Sequence, residues 1–356
     1  MRMNHRKNCP KLHGLLVVVL FLTISSILSA GNIQHFADLG DFRLQNGEVI
    51  YDCQMGYRCF GCPNADSSNV IINPSWFGGK SEHLANLIGG PEAFIDTTGF
   101  FIIVFDAFGN GISSSPSNSI RQSAEEFPAF TIRDMVEAQK QVLQEELGLT
   151  RVYGAIGGSM GSFQIFEWLV CYPDFIQRAL PYVCSPRLTS HDRYFIDYQM
   201  KLIETGTQYK MPEDELTRLL NMTTELYAHS PQYRVRKTPF DAYRDWAAKF
   251  ETPVRTSFTP WNKYSQLRAM QNHDITRYFD HSMEKTAQHI QSESLMIVSG
   301  SDHIVRPEPA MDLADLMGCE IIILDNDCGH LAIGCEMERC TEIVHAFFGM
   351  GRIQKQ

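Results

Sequence analysis

The chain has 356 residues, of which 44% are hydrophobic and 20% are charged, an ordinary composition for a globular protein with a large core. Its 41 acidic and 31 basic residues give a net charge of −10, which argues against a nucleic-acid-binding protein because such proteins need basic patches. This length predicts one large domain with an insertion, or two domains.

Residues 1–30 have the pattern of a secretory signal peptide. The segment holds four basic residues and no acidic residue, followed by an apolar run from Leu15 to Leu28 and by the small residues Ser29 and Ala30. The apolar run is short for a transmembrane span. We therefore expect a secreted or periplasmic protein, with an N-terminal membrane anchor as the alternative.

Alternating and apolar segments predict the first strands. Residues 42–45 and 48–51 flank an Asn-Gly pair, which predicts a hairpin with a two-residue turn. Residues 70–72 and 101–105 are apolar runs typical of buried strands. A glycine-rich loop over 106–113 follows the second of these runs. Its glycine spacing does not match a nucleotide motif, so we expect a structural loop.

An amphipathic helix is predicted over 131–147, and a Gly-x-Ser-x-Gly motif follows it at Gly157–Gly161. This motif lies between a strand-like segment, 151–156, and a helix-like segment, 162–170. Strand, tight turn and helix are the context of a nucleophile elbow, in which the serine projects from the carboxyl end of the strand. Ser159 is therefore the candidate nucleophile.

Two later strands end close to an acid and a histidine. Asp302 follows the predicted strand 294–300, and His330 follows the predicted strand 319–324. Serine, acid and histidine thus occur in the order that a nucleophile elbow requires, each beyond the carboxyl end of a strand, where ligands bind. The alternatives are a helix-capping serine, a turn aspartate and a surface histidine.

These three residue types predict acyl-transfer chemistry on a small-molecule ester or thioester. His330 would take the proton of Ser159, and Asp302 would orient the imidazole and stabilise its charged form. A Ser-Asp-His site of this kind needs no metal and no cofactor. Either a hydrolase or an acyltransferase fits this chemistry, and acyl-CoA would be a co-substrate only for a transferase.

The oxyanion of the tetrahedral intermediate needs preorganised N–H donors. The backbone N–H of Met160, directly after the nucleophile, is one predicted donor. The loop 73–79 after strand 70–72 should supply the second. Pro74 has no N–H, so Ser75 is the predicted second donor and Trp76 the fallback.

Residues 186–290 are rich in polar and aromatic residues and contain helical patterns such as 213–227. We interpret them as a helical cap inserted between a first core segment, 31–185, and a second, 291–356. Four aromatic residues are candidates for lining a substrate pocket under the cap, with ordinary core packing as the alternative: Trp246, Trp261, Tyr264 and Phe279.

Nine cysteines follow the predicted leader, and an exported protein permits disulfides. Cys59 with Cys62, and Cys335 with Cys340, are plausible local bridges, although connectivity cannot be derived from the sequence. The Cys-x-x-Cys spacing of the first pair is also found in zinc sites, but no second close pair accompanies it at zinc spacing.

The stretch from Asn73 to Asp174 resembles the homoserine O-acetyltransferase family of α/β-hydrolases. The similar segments include Ile88–Pro91, Phe127–Val136, Gly157–Gly161 and Tyr172–Asp174. The resemblance extends through the triad strands and thus over most of the mature chain. It implies an α/β-hydrolase fold, with a mostly parallel central sheet between helices and an inserted helical cap. It also implies a covalent acyl-serine and a homodimer.

Three departures from that family concern the substrate. Leu331 follows the triad histidine where transferases acting on homoserine have an aspartate that helps to hold the substrate amine. Ser162 replaces a glycine, and the loop 73–79 is similar to that of a divergent branch. We therefore expect an exported acyl-ester hydrolase. An acyl-CoA-dependent O-acyltransferase is the alternative, and a non-catalytic binding protein on the same fold is the second.

Overall fold

The computed structural model describes residues 33–251 and 257–350. The leader predicted over residues 1–30 lies outside these described residues. None of the helices within the two described ranges is long and apolar enough to cross a membrane.

Two sheets are present in the described part of the chain. The central sheet contains β1 (His35–Arg43), β2 (Val49–Gly61), β3 (Val70–Pro74), β6 (Phe101–Phe105), β7 (Val152–Gly158), β8 (Ile176–Tyr182), β9 (Glu293–Ser299) and β10 (Glu320–Leu324), and a small second sheet contains β4 (Ile88–Gly89) and β5 (Ile95–Asp96). The order of strands in the central sheet is β1-β2-β6-β3-β7-β8-β9-β10. β2 pairs antiparallel with β1 and β6, and all other neighbours are parallel. The mostly parallel sheet predicted from the sequence is confirmed.

Helices connect the strands. The α-helices of the described residues are α1 (Ser81–Leu84), α2 (Ile132–Gln141), α3 (Met160–Cys171), α4 (Ser190–Gln208), α5 (Glu213–Ala228), α6 (Pro231–Lys237), α7 (Tyr243–Glu251), α8 (Pro260–Gln271), α9 (Met283–His289), α10 (Glu308–Met317), α11 (Ala332–Cys335) and α12 (Met337–Phe348). Short 3₁₀ helices cover Ala85–Leu87, Ala124–Glu126, Phe240–Ala242, Ile275–Phe279 and Gly329–Leu331, and a π-helical turn covers Val142–Glu146.

The central sheet is buried on both faces, as strand β6 shows. Its side chains alternate: Phe101, Ile103 and Phe105 pack into one hydrophobic core, which includes α2 and α3. Ile102 and Val104 pack into the core of the opposite face, which includes α12. A strand that is covered on both faces has no solvent-exposed face, so neither of its faces needs polar side chains. This explains the unbroken apolar runs in the sequence.

The hairpin predicted near the amino terminus of the described chain is confirmed, but its turn is longer than predicted. Leu44 N donates to Glu48 O across 2.9 Å, which closes a three-residue loop over 45–47. Gly47 adopts φ +90° in this loop, a conformation that glycine tolerates without steric cost. The predicted two-residue Asn-Gly turn is therefore wrong by one residue.

The described residues between β8 and β9 fold into helices α4 to α9, and the cap predicted over 186–290 stays a prediction. The helix predicted over 213–227 is confirmed as α5. Within this region, α8 packs against both α4 and α5. These three helices and the carboxyl end of the central sheet contribute the walls of one cavity.

Candidate active site

The tight turn between β7 and α3 exposes Ser159. This residue adopts φ 54° and ψ −126°, which is unusual for a residue with a side chain and is typical of a nucleophile elbow. The glycines around it are required by close packing. A Cβ atom on Gly158 would lie 2.1 Å from the Tyr182 ring, and one on Gly161 would lie 2.5 Å from Pro74 O.

Ser159, His330 and Asp302 form a continuous chain of hydrogen bonds. His330 Nε2 lies 2.9 Å from Ser159 Oγ, and His330 Nδ1 lies 2.7 Å from Asp302 Oδ2. Asp302 is 1% exposed. The structure thus brings together the three residues that the sequence singled out. Ser159 and Asp302 are more than 140 positions apart in the chain.

The second carboxylate oxygen of Asp302 is held by the backbone. Asp302 Oδ1 accepts hydrogen bonds from Ile304 N at 2.8 Å and Val305 N at 2.9 Å. These bonds orient the carboxylate, so that Oδ2 faces the histidine. A buried carboxylate needs such partners because an unsatisfied buried charge is costly.

Ser301 ties the acid-bearing loop to the histidine-bearing loop. Its Oγ donates to Asn326 O at 2.7 Å and accepts from Gly329 N at 3.0 Å. Sequence reasoning missed this role, because Ser301 and Gly329 are 28 residues apart and only the pairing of β9 with β10 brings them together.

A disulfide encloses the histidine-bearing loop: Cys328 is bonded to Cys335. The pairings predicted from sequence proximity are wrong, because Cys59, Cys62 and Cys340 are free. Cys59 is buried on β2, and Cys62, three positions later, is exposed. The thiol of Cys340 is buried against the core of the sheet face that includes α12.

The loop after β3 contradicts one predicted oxyanion donor. Ser75 N already donates to Phe105 O at 3.0 Å, so the Ser75 N–H is not free to bind an oxyanion. Within the described residues Trp76 N makes no hydrogen bond, and Trp76 lines the cavity beside Ser159. The Ser75 N–H is therefore ruled out as the donor, and the fallback, Trp76, stays a prediction.

Met160, the other predicted donor, is the first residue of α3. The N–H groups of a first helical turn have no partner inside the helix, so this donor points out of the helix end that carries Ser159. The helix macrodipole also favours negative charge at this end. Met160 N is therefore available to an oxyanion formed at Ser159.

Gln164, which sequence reasoning did not single out, connects the loop after β3 with the first turn of α3. Its Nε2 donates to Ser75 O at 3.0 Å and to Met160 O at 3.1 Å. Its Oε1 accepts from Gln139 Nε2 at 2.6 Å, and all of these groups are buried. Buried polar networks that are fully paired rigidify their surroundings, so this network holds the β3 loop against α3.

An apolar cavity of about 500 Å³ opens onto Ser159. Most of its wall comes from apolar and aromatic side chains of the sheet loops and of helices α4, α5 and α8. The lining residues are Trp76, Phe77, Leu87, Phe94, Gly158, Ser159, Phe163, Tyr182, Val183, Leu188, Phe195, Ile196, Gln199, Thr224, Ala228, Leu267, Met270, Ile304, Val305, His330, Leu331, Ile333, Gly334 and Met337.

The four aromatic residues predicted as candidates for this lining are not part of it. Tyr264 and Phe279 instead pack against the larger hydrophobic core. Trp246 packs beside Phe250, and Trp261 beside Tyr264. Composition indicated an aromatic wall, but the residues that form it depend on how the cap helices are oriented.

A second histidine near the cavity is not available as a base. His273 is buried, its ring stacks 4.3 Å from the Phe163 ring, and its Nε2 lies 3.0 Å from Ser185 O. Burial lowers the pKa of His273 to about 3, because a charged imidazolium would lose its hydration. The imidazole is therefore neutral at physiological pH and makes no hydrogen bond to Ser159.

No acidic side chain is among the described residues that line the cavity. Asp327, only three positions before His330, accepts a hydrogen bond from Arg236 Nε at 2.8 Å. Glu336 accepts from Asn326 Nδ2 and from Arg339, both at 2.6 Å. Leu331 occupies the cavity wall next to the histidine.

Comparison with known proteins identifies the family of the chain and several relatives. A family profile described as alpha/beta hydrolase fold matches residues 69–334. A probable esterase of Corynebacterium glutamicum is 28% identical over 83% of this chain and 89% of its own length. A homoserine O-acetyltransferase of Geotalea daltonii is 26% identical over 86% of this chain and 94% of its own.

A solved structure shares the fold over most of both chains. The crystal structure of an acetylester hydrolase from Corynebacterium glutamicum superimposes with a TM-score of 0.80. The alignment covers 89% of this chain and 96% of that chain, at 23% sequence identity.

Proposed function

The chain belongs to the α/β-hydrolase fold family, and from this premise we propose that it is a serine-dependent ester hydrolase. The observation that carries the proposal is the hydrogen-bonded series Ser159, His330 and Asp302, of which Ser159 and His330 line an apolar cavity. A serine is a poor nucleophile until a base takes its proton, and His330 is within hydrogen-bond reach of that proton. Relatives that are esterases or acetyltransferases support acyl-transfer chemistry.

In the first half-reaction, Ser159 Oγ attacks the ester carbonyl carbon while His330 Nε2 takes the hydroxyl proton. The carbonyl oxygen becomes an oxyanion, which the N–H groups of Met160 and Trp76 are placed to bind. His330 then gives its proton to the leaving alcohol as the carbon–oxygen bond breaks. Ser159 is left acylated and the alcohol departs neutral.

In the second half-reaction, water takes the place of the alcohol. His330 removes a proton from the water, whose oxygen attacks the acyl carbonyl, and the proton then returns to Ser159 Oγ. Asp302 stays ionised throughout, holds the proton-bearing Nδ1 of His330 and stabilises the imidazolium. The products are a carboxylic acid and the regenerated enzyme.

An acyltransferase differs from this hydrolase only in the acceptor that attacks the acyl-serine. The relative that acetylates homoserine supports this alternative, for which acyl-CoA would be the donor. The cavity favours hydrolysis over transfer to an amino-alcohol, because its described lining has no carboxylate to pair with an ammonium. The wall beside His330 is instead formed by Leu331.

The decisive experiment is active-site labelling. A fluorophosphonate should add covalently to Ser159, which intact-mass spectrometry and peptide mapping would locate. Ser159→Ala should abolish labelling and lower kcat by several orders of magnitude. Ser190→Ala is the matched control, because Ser190 is exposed on α4. Absence of labelling on the native protein would favour a binding protein, and an adduct on another residue would contradict the assignment.

Product analysis distinguishes a hydrolase from a transferase. Short-chain esters and acyl-CoA thioesters are supplied with and without alcohol acceptors, and the products are separated by chromatography. Free acid as the main product in the presence of acceptors supports hydrolysis. Acyl-alcohol as the main product would establish the transferase alternative.

We also propose that residues 1–30 are removed on export. The Cys328–Cys335 disulfide supports this proposal, because such bonds persist mainly in oxidising compartments. N-terminal sequencing of the protein from its native host should find a start after residue 30. A native protein that starts at Met1 would contradict cleavage.

A further inference from the structure

Lys263, on α8, is a buried lysine without an acidic partner. It is 6% exposed, and its Nζ donates one hydrogen bond, to Thr224 Oγ1 at 3.2 Å. No carboxylate of the described residues lies within ion-pair distance of it. Burial lowers its pKa to about 8. An unpaired buried charge costs several kcal/mol, so a purely structural role does not explain this side chain.

Thr224 cannot satisfy the ammonium alone. Its hydroxyl proton is donated to Leu220 O at 3.0 Å, and its oxygen accepts from Lys263. An ammonium group has three N–H donors, so two of the three remain without a partner among the described residues. These two donors therefore lack the acceptors that a buried ammonium needs.

Gln199, on α4, is a second buried polar group without partners. It is 2% exposed and lines the cavity. Its Oε1 is fully buried and has no hydrogen-bond partner, and the amide makes no hydrogen bond to any described residue. A buried primary amide normally pairs several of its donors and acceptors. The Gln199 amide is therefore a second group that a polar ligand could satisfy.

Both groups belong to the cap side of the cavity. Thr224, which holds the ammonium, lines the cavity, and so does Phe77, whose ring centroid is 5.7 Å from Lys263 Nζ. Helix α8 packs against α4 and α5, which carry Gln199 and Thr224. Gln199 and Thr224 therefore place polar groups in a mostly apolar wall, and Lys263 Nζ lies 3.2 Å behind one of them, Thr224 Oγ1.

We propose that Lys263, together with Gln199, forms an anion subsite that binds a carboxylate carried by the ester substrate. This inference rests on the proposed function, since the ester group itself is placed at Ser159. A carboxylate offers acceptors for the free ammonium protons and for an amide N–H, and its charge compensates the lysine. The substrate class is an ester with an apolar linker between the reacting carbonyl and a carboxylate.

The test compares ω-acetoxy carboxylates with their neutral amides, for example 5-acetoxypentanoate and 5-acetoxypentanamide. The two esters match in shape and differ in charge. The wild-type protein should prefer the carboxylate, and Lys263→Met should lower the ratio of kcat/KM values, carboxylate over amide, by about 10- to 150-fold, the range for one charge-assisted hydrogen bond. Gln199→Leu should lower the ratio less. A ratio that changes less than about twofold in Lys263→Met would overturn the subsite.

Lys201→Met is the matched control. Lys201 also lies on the cap, but its side chain is 75% exposed and is paired with Glu204. This variant should keep the wild-type ratio. A loss of selectivity equal to that of Lys263→Met would indicate a general charge effect and would contradict the subsite.

A binding measurement separates failure of the subsite from failure of the proposed function. Glutarate is titrated calorimetrically into Ser159→Ala and into Ser159→Ala/Lys263→Met, neither of which needs to turn over. Binding to the first that weakens at least tenfold in the second supports the anion subsite even if no ester is hydrolysed. Equal binding, or none, to both proteins overturns it even if esters are hydrolysed.

Discussion

Ser75 N donates to Phe105 O across 3.0 Å, so the hydrogen bonds between β3 and β6 continue one residue beyond β3. The loop that faces the nucleophile therefore begins at Trp76. The Trp76 N–H is the first after β3 that makes no hydrogen bond within the sheet. Met160 N, the other predicted donor, lies at the start of α3. Because the sheet extends to Ser75, Trp76 is the first residue of this loop whose N–H is left for the predicted role of oxyanion donor.

Removing the Trp76 N–H should slow the chemical step. Trp76→Pro lacks this donor, and loss of one oxyanion donor lowers kcat by about 10²- to 10³-fold. Trp76→Phe keeps the N–H and an aromatic ring, so it should lose far less. Steady-state kinetics of both variants provide the measurement, with circular dichroism to verify folding. Equal losses in the two variants would mean that the ring, and not the N–H, is what matters.

Asp302→Asn should lower kcat by about 10⁴-fold. The asparagine oxygen can still accept from Ile304 N and Val305 N, which turns the amide N–H₂ toward His330 Nδ1. The imidazole must then carry its proton on Nε2, and it cannot take one from Ser159. A pH–rate profile of the variant is the measurement.

Asp327→Asn is the control for this experiment. Asp327 is closer in sequence to His330, but it pairs with Arg236 at the surface, so its variant should keep wild-type kcat. A large loss in Asp327→Asn with little loss in Asp302→Asn would reverse the assignment of the acid.

Much of the fold was predictable because buried strands have a simple signature. The runs 101–105 and 294–300 are apolar since each strand is covered on both faces. The relative positions of Ser159, Asp302 and His330 followed from chain order, because parallel strands place their carboxyl ends at one edge of the sheet. The rule that parallel strands end at one edge of the sheet was therefore enough to predict that these three residues lie close together.

The details that were missed depend on packing between elements. The pairing of Cys328 with Cys335 depends on the fold of one short loop, which spacing alone does not determine. The hydrogen bond of Ser75 N depends on how far two strands stay paired. Lys263 resembles any helical lysine in the sequence, and only the arrangement of α4, α5 and α8 reveals that it is buried without a carboxylate.

Opening the disulfide should weaken both stability and activity. Cys328→Ala/Cys335→Ala should lower the free energy of unfolding by about 2–3 kcal/mol, the loop-entropy value for so short a closed loop. The enclosed segment carries His330, so kcat should also fall. Urea unfolding and steady-state kinetics measure the two effects. Cys62→Ala, which removes an exposed free thiol, should change neither, and a double variant as stable as wild type would contradict the prediction.

Lys263→Met should stabilise the unliganded protein. Burial lowers the folded-state pKa of Lys263 to about 8 from 10.5, so folding is penalised while the lysine is charged in both states. This penalty is fully present below about pH 8 and disappears as pH rises toward 10.5, because the folded state gives up its proton first. The free energy of unfolding of the variant should exceed that of the wild type by about 3 kcal/mol at pH 7, and the difference should shrink above pH 8.

Denaturant titrations of Lys263→Met and wild type at pH 7 and pH 10 provide the measurement. Lys201→Met, at an exposed position, should show no comparable gain at either pH. A variant less stable than wild type at pH 7 would mean that the lysine contributes to the fold, against the prediction.

Homoserine should be a poor acyl acceptor for this protein. Its ammonium would enter a cavity whose described lining has no carboxylate, and the nearby acids Asp327 and Glu336 are engaged by other side chains. Leu331 cannot pair the charge. Loss of one charge-assisted hydrogen bond of about 1.5–3 kcal/mol corresponds to roughly a 10- to 150-fold loss in kcat/KM. Chromatography for O-acetylhomoserine after incubation with acetyl-CoA and L-homoserine is the measurement.

Leu331→Asp tests the physical reason for this prediction, because it places a carboxylate on the cavity wall beside His330. Relative to wild type, the variant should shift products from hydrolysis toward transfer to homoserine. Leu331→Asn, of similar size but uncharged, should not produce this shift, since an amide pairs an ammonium more weakly than a carboxylate does. Efficient transfer by the wild-type protein, above about 10⁴ M⁻¹s⁻¹ as for ordinary enzymes, would show that the ammonium finds a partner elsewhere. Residues outside the cavity wall would then determine the choice of acceptor.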